Sequence, residues 1–197
     1  MTTVISNRLH PDERKDQLLA VAAKHFADHG YTNASMSHIA TEAHVGRALV
    51  YHYYPSKAAL FEAVILHQSD ELLAATKPTH ELTAEQNLVR ALNAYIDYQE
   101  RTDNVILTLR RSDASVPKTA RRAVSCHHDV HTERIIEYLN LPDTPLMRGA
   151  LSSWLSFVAE MAYHANEHRD IAKDHIIRIC INALENIVGS VTGNTIE

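Results

Sequence analysis

The sequence predicts an all-α fold of about nine helices, and three observations lead to this prediction. Apolar residues recur with helical spacing along nearly the whole chain of 197 residues. All six prolines fall at predicted helix junctions, where a missing backbone N–H does least harm. No segment alternates apolar and polar residues as a half-buried strand does, and five glycines are few for a fold built on tight turns.

The N-terminal part is predicted to contain one longer helix and two short ones. Pro11 suits the first turn of the longer helix, and Gly30 is well placed to end it in the left-handed conformation. Ser35 is a favourable N-cap for the second helix, and a turn at 44–46 separates it from the third. The predicted helices are 11–29, 36–43 and 47–53.

Six further helices are predicted after residue 56. Thr83 and Gln86 form a capping box at the start of one of them. Thr144 and Pro145 are an N-cap and first-turn pair at the start of a long one. These helices are expected at 57–75, from 83 to at least 99, at 104–111, 117–140, 145–168 and 170–190.

Length and composition indicate a soluble globular protein. Hydrophobic residues make up 45% and charged residues 22% of the chain, which excludes general disorder. No apolar run reaches the length of a membrane-spanning helix, and the first ten residues lack a signal peptide's apolar stretch, so we expect a cytoplasmic protein. Cys126 and Cys180 are expected to be reduced thiols. We expect two domains, at 1–55 and 56–197.

Charge is unevenly distributed along the chain. The formal net charge is −5, but the first 60 residues carry six Lys/Arg and five Asp/Glu. Six of the 14 histidines also fall in this region. A polyanionic partner is therefore expected to meet the N-terminal third, where repulsion is weakest.

The two short helices at 36–43 and 47–53 are predicted to form a helix-turn-helix. Ala40 is small where the two helices must approach closely, and Val45 and Val50 are apolar residues for the corner. Arg47, at the start of the second helix, has the fork of donors that pairs with a guanine edge in the major groove. Lys57, at the start of the next helix, is expected to attract phosphate.

The order of residues through this region resembles the N-terminal signature of the tetracycline-repressor (TetR) family. The resemblance covers roughly residues 12–65. The segments that carry it are Gly30-Tyr31, Ile39-Ala40, Ala43-His44-Val45-Gly46, Val50-Tyr51-His52-Tyr53-Tyr54, Ser56-Lys57 and Leu60-Phe61.

The resemblance implies a homodimeric transcription regulator, usually a repressor, that binds palindromic operator DNA. Its larger C-terminal domain is expected to bind a small-molecule effector and to dimerise through the last two long helices. No cofactor and no membrane partner are expected. The DNA-binding residues that the resemblance implies are Ser35, Ser37, His38, Gly46, Arg47, Ala48, Tyr51, His52, Tyr53 and Lys57.

Four positions depart from the family's usual pattern. His44 stands in the turn where glycine is common, although histidine tolerates positive φ better than most residues. Gly46 replaces a hydroxyl residue, which removes one phosphate contact. Ala48 and Leu49 replace a small polar pair, so base recognition is expected to depend on Arg47 and on DNA shape.

Two features of the C-terminal part have both a structural and a functional interpretation. Five aromatic or Met side chains are either core residues or the lining of an effector pocket, namely Tyr95, Tyr98, Trp154, Phe157 and Met161. Cys126, His127 and His131 are either a solvated helix face or part of a metal site, as are His164 and His168. A metal site there would make the protein a metal-sensing regulator.

An enzyme and a plain helical interaction module are the competing classes. The sequence has no Gly-rich phosphate loop, no nucleophile elbow and no His-Glu-x-x-His motif, so no enzyme is predicted. An interaction module would not explain the tyrosine-rich helix at 47–53 or the Ser56-Lys57 pair.

Overall fold

A computed structural model describes residues 10–101, 105, 116–168 and 170–193. Within these ranges the chain is all-helical, without strands, which confirms the predicted fold class. The predicted helix at 104–111 lies outside the described residues apart from Val105. The helices are α1 Pro11–Asn33, α2 Met36–Glu42, α3 Arg47–Tyr53, α4 Lys57–Ala75, α5 Ala84–Arg101, α6 Lys118–Leu139, α7 Pro145–Glu167 and α8 Lys173–Thr192.

The chain divides into two compact units. The first comprises residues 1–67 with 103–121, and the second comprises 68–102 with 122–197. Helix α4 therefore begins in the first unit and ends in the second. No helix within the described ranges combines the length and the apolar character needed to cross a membrane.

The first unit is built around an aromatic cluster that joins α1 to α4. The rings of Phe26 and Phe61 pack edge-on with centroids 4.8 Å apart, and the ring of Tyr31 lies 4.9 Å from Phe61. Both phenylalanines are fully buried, and burial also raises the pKa of Tyr31. The apolar face predicted for the first helix is thus in the core, with Leu18 and Ala22 fully buried beside Phe26.

Gly30 interrupts α1 three residues before its end. Its φ of 70° is positive, as the sequence predicts, but its ψ of 167° is not a left-handed helical value. This region of backbone space is essentially restricted to glycine. The chain therefore bends at Gly30 and completes one further turn, to Asn33, instead of ending at residue 29.

The second unit has a core formed by α5, α7 and α8. Trp154 of α7 is 2% exposed, and its indole N–H donates to the carbonyl of Cys180 in α8 over 2.8 Å. Both cysteines are free thiols, as predicted, and burial raises the pKa of Cys180 to about 11. Thr144 accepts a hydrogen bond from the amide of Met147, which confirms the predicted cap of α7.

Candidate nucleic-acid interface

The turn between α2 and α3 is closed by two backbone hydrogen bonds. The amide of Val45 donates to the carbonyl of Ala40 over 2.9 Å, and that of His44 donates to the carbonyl of Thr41 over 3.1 Å. Together they form a Schellman motif, in which the residue after the helix cap adopts positive φ. His44 occupies that position with φ of 54°, so the positive φ expected of it is confirmed. This motif determines where α3 begins relative to α2.

Replacing His44 with glycine is expected to raise the free energy of unfolding by about 1 kcal/mol, because a left-handed conformation costs an L-residue about 1–2 kcal/mol and glycine very little. The His44 side chain is exposed, so its removal loses no core packing. Urea denaturation followed by circular dichroism measures the change. The matched control is His38→Gly inside α2, which is expected to destabilise by a few tenths of a kcal/mol. A loss of stability from His44→Gly would contradict the argument.

Helix α3 has one buried residue and an exposed polar side. Val50 is fully buried, whereas Arg47, Tyr51 and His52 are exposed. The Arg47 guanidinium lies 5.3 Å from the centre of the Tyr51 ring, and its Nη2 is 3.4 Å from the Tyr51 hydroxyl oxygen. The stacked pair orders a long cationic side chain on the solvent side of the helix. Arg47 thus lies on the exposed side of α3 beside the exposed Ala48, and its contact with a base edge stays a prediction.

The tyrosines after Val50 have different environments. Tyr51 is 38% exposed and Tyr53 is half-buried. Tyr54 is buried, and its hydroxyl has no hydrogen-bond partner among the described residues. Burial, with smaller contributions from Asp16 and Tyr53, raises the pKa of Tyr54 to about 12. Of these three tyrosines, Tyr54 is therefore the one in the core. Helical spacing alone did not show which of them is buried.

The start of α2 contains three of the residues predicted to contact DNA, and the start of α3 contains a fourth. Ser35 is the N-cap residue, as expected, but its side chain makes no capping hydrogen bond. Ser37 is half-buried and His38 is exposed one turn before the Schellman motif. Gly46 caps α3 with extended backbone and without a side-chain hydrogen bond. Ser35, Ser37 and His38 thus lie at the start of α2 and Gly46 at the start of α3, and their contacts with DNA stay predictions.

A buried histidine connects α1 to α2, and sequence reasoning missed it. His25 is 2% exposed, and its Nδ1 lies 3.0 and 3.1 Å from the two carboxylate oxygens of Glu42. The backbone N–H of Ser35 donates to His25 Nε2 over 3.3 Å. Because Nε2 accepts, the ring proton must be on Nδ1, from which it is donated to Glu42. The position of His25 within the apolar face of α1 was the sequence feature that could have indicated a buried, hydrogen-bonded histidine.

Lys57 is anchored to the end of α1. Its ammonium donates to the carbonyls of Tyr31, Thr32 and Ala34 over 2.8, 3.0 and 3.1 Å. It also lies 4.8 Å from the centre of the Tyr31 ring. Three carbonyls match the three N–H donors of an ammonium group. The predicted phosphate contact of Lys57 stays a prediction, and the structure adds this bridging role to it.

The sequence of this helix-turn-helix region matches that of a known family of proteins. Residues 18–64 match the profile described as "Bacterial regulatory proteins, tetR family". The matched segment contains α2, the Schellman turn, α3 and the Lys57 anchor. This N-terminal segment of the chain therefore has the sequence pattern of the TetR family.

Two relatives show how far the similarity extends along the sequence. The HTH-type transcriptional activator FasR of Mycolicibacterium smegmatis is 36% identical over 96 residues, which cover 48% of this chain and 44% of that protein. The HTH-type transcriptional repressor SCO4008 of Streptomyces coelicolor is 25% identical over 159 residues, 77% of this chain and 82% of that protein. This chain therefore spans less than half the length of FasR. These relatives are transcriptional regulators, which are not enzymes.

The TetR fold is shared across the described chain. The crystal structure of a TetR-family transcriptional regulator from Streptomyces coelicolor superposes with a TM-score of 0.78 at 23% identity. That likeness covers 93% of this chain and 85% of the other. The helical arrangement is thus common to both, including the C-terminal helices that show no sequence signature.

The five residues predicted to line a TetR-like effector pocket have mixed environments. Trp154 is buried and bonded to Cys180, as described above. The hydroxyl of Tyr98 donates to Glu71 over 2.8 Å, and burial together with this bond raises the pKa of Tyr98. Tyr95 and Met161 pack against the core of the second unit, and Phe157 is 37% exposed.

Two cavities of the second unit are lined by other residues. One lies between α5 and α6, beside the buried Asn87, which donates to the hydroxyl of Tyr138 over 2.6 Å. The other has a volume of about 470 Å³ and is bordered by α5, α8 and the end of α6 with the residues that follow it. Its lining residues are Ala84, Glu85, Leu88, Leu139, Leu141, Ile181, Leu184, Glu185, Val188, Gly189 and Thr192.

The histidine clusters predicted from sequence lie on α6 and α7. On α6, Cys126 is exposed and His131 is half-buried, and the side chain of His127 lies outside the described residues. On α7, the rings of His164 and the following His168 stack with centroids 6.3 Å apart, and both are exposed. Whether either cluster binds a metal stays an open prediction.

Proposed function

We propose that this chain is a dimeric, sequence-specific DNA-binding transcriptional regulator that acts as a repressor and is released by a small-molecule effector. The observation that supports this function is the exposed polar side of α3, on which Arg47 stacks against Tyr51 while Val50 is buried. A rigid helix of this kind fits the major groove of B-DNA, and its side chains reach the base edges. The operator is proposed to be palindromic double-stranded DNA.

Dimerisation would place two copies of α3 on successive turns of the duplex, about 34–36 Å apart. We propose that α7 and α8 form the dimer interface. Two large apolar side chains of α7, Leu146 and Phe157, are 67% and 37% exposed. Packing of a second copy of the chain against α7 would remove this apolar surface from water.

The boundary between the DNA-binding and effector-binding domains is proposed near residue 55, just before α4 begins at Lys57.

Effector release follows if the effector binds one conformation of the dimer more tightly than the DNA-bound one. The cavity of about 470 Å³ has the volume of a small-molecule site, since such sites span about 300–1,000 Å³. Its walls are mostly apolar, with Glu85 and Glu185 among the lining residues. Contacts of Tyr95 or Met161 with an effector remain predictions.

Replacing Arg47 with alanine is expected to weaken operator binding by about 1–3 kcal/mol and to relax sequence preference, because a bidentate base contact is lost. Fluorescence anisotropy with duplexes from the region upstream of the gene, and with scrambled duplexes, measures both effects across a salt series. Lys77→Ala is the matched control, since Lys77 is an exposed cation after α4, in the second unit.

Wild-type protein that binds upstream and scrambled duplexes equally well at moderate salt would contradict the proposed function. Equal losses from Arg47→Ala and Lys77→Ala would instead show that binding depends on total charge. In that case the assignment of Arg47 to base recognition would be wrong.

A further inference from the structure

Three metal-ligating side chains converge where α1 meets α2. A ring nitrogen of His25, a ring nitrogen of His29 and a carboxylate oxygen of Glu42 all lie within 4.8 Å of one another. His25 is buried, whereas His29 and Glu42 are exposed. The rings of His25 and His29 have centroids 4.5 Å apart, one helical turn along α1. Among the described residues this is the group in which three such ligands come together.

We propose that His25, His29 and Glu42 form a binding site for a divalent first-row transition metal ion, with Zn²⁺ as the best match. Two imidazoles and one carboxylate are a donor set that Zn²⁺ takes in proteins, with a fourth position left for water or a further ligand. His38 is a further imidazole close by, since its ring centroid lies 6.1 Å from that of His25. The donor set carries one negative charge, which partly balances the cation.

Only side-chain movement is needed to bring the three ligand atoms to the distances of a zinc site. With Zn–N distances of about 2.0–2.1 Å, the ligand atoms of a tetrahedral site lie about 3.3–3.4 Å apart. His25 Nδ1 and the Glu42 oxygens are already 3.0 and 3.1 Å apart. The remaining closure falls to His29, whose exposed side chain is free to change rotamer. The buried His25 then serves as the fixed ligand.

Metal binding would change one hydrogen bond beside the DNA-facing helices. The cation replaces the proton that His25 Nδ1 donates to Glu42, and the neutral ring then carries its proton on Nε2. The backbone N–H of Ser35 donates to Nε2 over 3.3 Å, and this bond would be lost. Ser35 is the N-cap of α2, so metal occupancy would be linked to the turn that leads into the helix-turn-helix.

Zn²⁺ titration of the tag-free, full-length chain against a competing indicator dye tests the proposal. Wild type is expected to bind one Zn²⁺ per chain at this site, and His29→Ala and Glu42→Gln are each expected to bind it roughly tenfold more weakly or worse. These two ligands are exposed, so circular dichroism should show folded variants. Co²⁺ provides a second measurement, because its visible spectrum reports tetrahedral nitrogen and oxygen ligation.

His168→Ala and His131→Ala are the matched controls, since each removes one histidine from another cluster. Both are expected to bind Zn²⁺ as wild type does. Equal Zn²⁺ affinity in wild type, His29→Ala and Glu42→Gln would overturn the proposal and leave the His25–Glu42 bond as a core contact only. A loss confined to His131→Ala would overturn it in favour of the cluster on α6. None of these measurements uses DNA, so the result is independent of the proposed regulatory function.

Discussion

Replacement of Trp154 by alanine is expected to lower the free energy of unfolding by about 3–5 kcal/mol, the cost of deleting a large buried aromatic side chain. Trp154 is 2% exposed and lies in the core that α5, α7 and α8 share. Its removal leaves a cavity in a core cluster that also contains the buried Leu151 and Ile177. Urea denaturation monitored by far-ultraviolet circular dichroism at fixed protein concentration measures the loss.

Trp154→Phe separates packing from hydrogen bonding. Phenylalanine keeps most of the buried aromatic surface but loses the N–H that donates to the Cys180 carbonyl over 2.8 Å. We therefore expect a smaller loss, of about 1–2 kcal/mol. The sequence left open whether Trp154 is a core residue or an effector contact. Unchanged stability in Trp154→Ala would contradict the core assignment and favour the effector role.

Replacement of Lys57 by alanine is expected to lower the free energy of unfolding by about 2–3 kcal/mol, because hydrogen bonds to a charged donor contribute more than neutral ones. The three carbonyls that lose their shared donor belong to Tyr31, Thr32 and Ala34. They lie at the end of α1 and just beyond it, next to the bend at Gly30. The loss therefore weakens the joint between α1 and α4. Thermal and urea denaturation measure it.

Lys24→Ala is the matched control for Lys57. Lys24 is an exposed lysine of α1 that pairs with Asp28 one turn along the helix over 3.0 Å. Such a pair contributes about 0.2–0.5 kcal/mol, so the control should be nearly neutral. If Lys57→Ala left stability unchanged but lowered the salt dependence of DNA binding, the bridging role would be wrong. The phosphate contact alone would then explain the residue.

Features that depend on neighbours along the chain were predictable from sequence. The capping box at the start of α5 is present, with the amide of Thr83 donating to Gln86 over 3.0 Å and the amide of Gln86 donating back over 3.2 Å. Ser56 likewise accepts from the amide of Ala59 at the start of α4. The positive φ of His44 follows from its position after α2. Each of these involves residues within one or two helical turns.

Features that depend on contacts across the fold were not predictable. His25 and Glu42 are 17 residues apart, and Lys57 is 26 residues from the carbonyl of Tyr31. A single sequence contains the residue types but no measure of which ones meet. The same limit applies to the candidate interface, where spacing did not show that Tyr54 is the buried tyrosine. The same limit applies to the predicted effector residues, because only the packing of the helices shows that Trp154 is buried in the core and Phe157 is exposed.

Trp154 is also the single tryptophan of the chain. Its indole is buried in the second unit, so its fluorescence should be emitted at short wavelength and should shift to longer wavelength when that unit opens. The helix-turn-helix contains tyrosines but no tryptophan and does not contribute to this signal. Comparing tryptophan emission with far-ultraviolet circular dichroism during denaturation therefore reveals whether the two units melt together or in sequence.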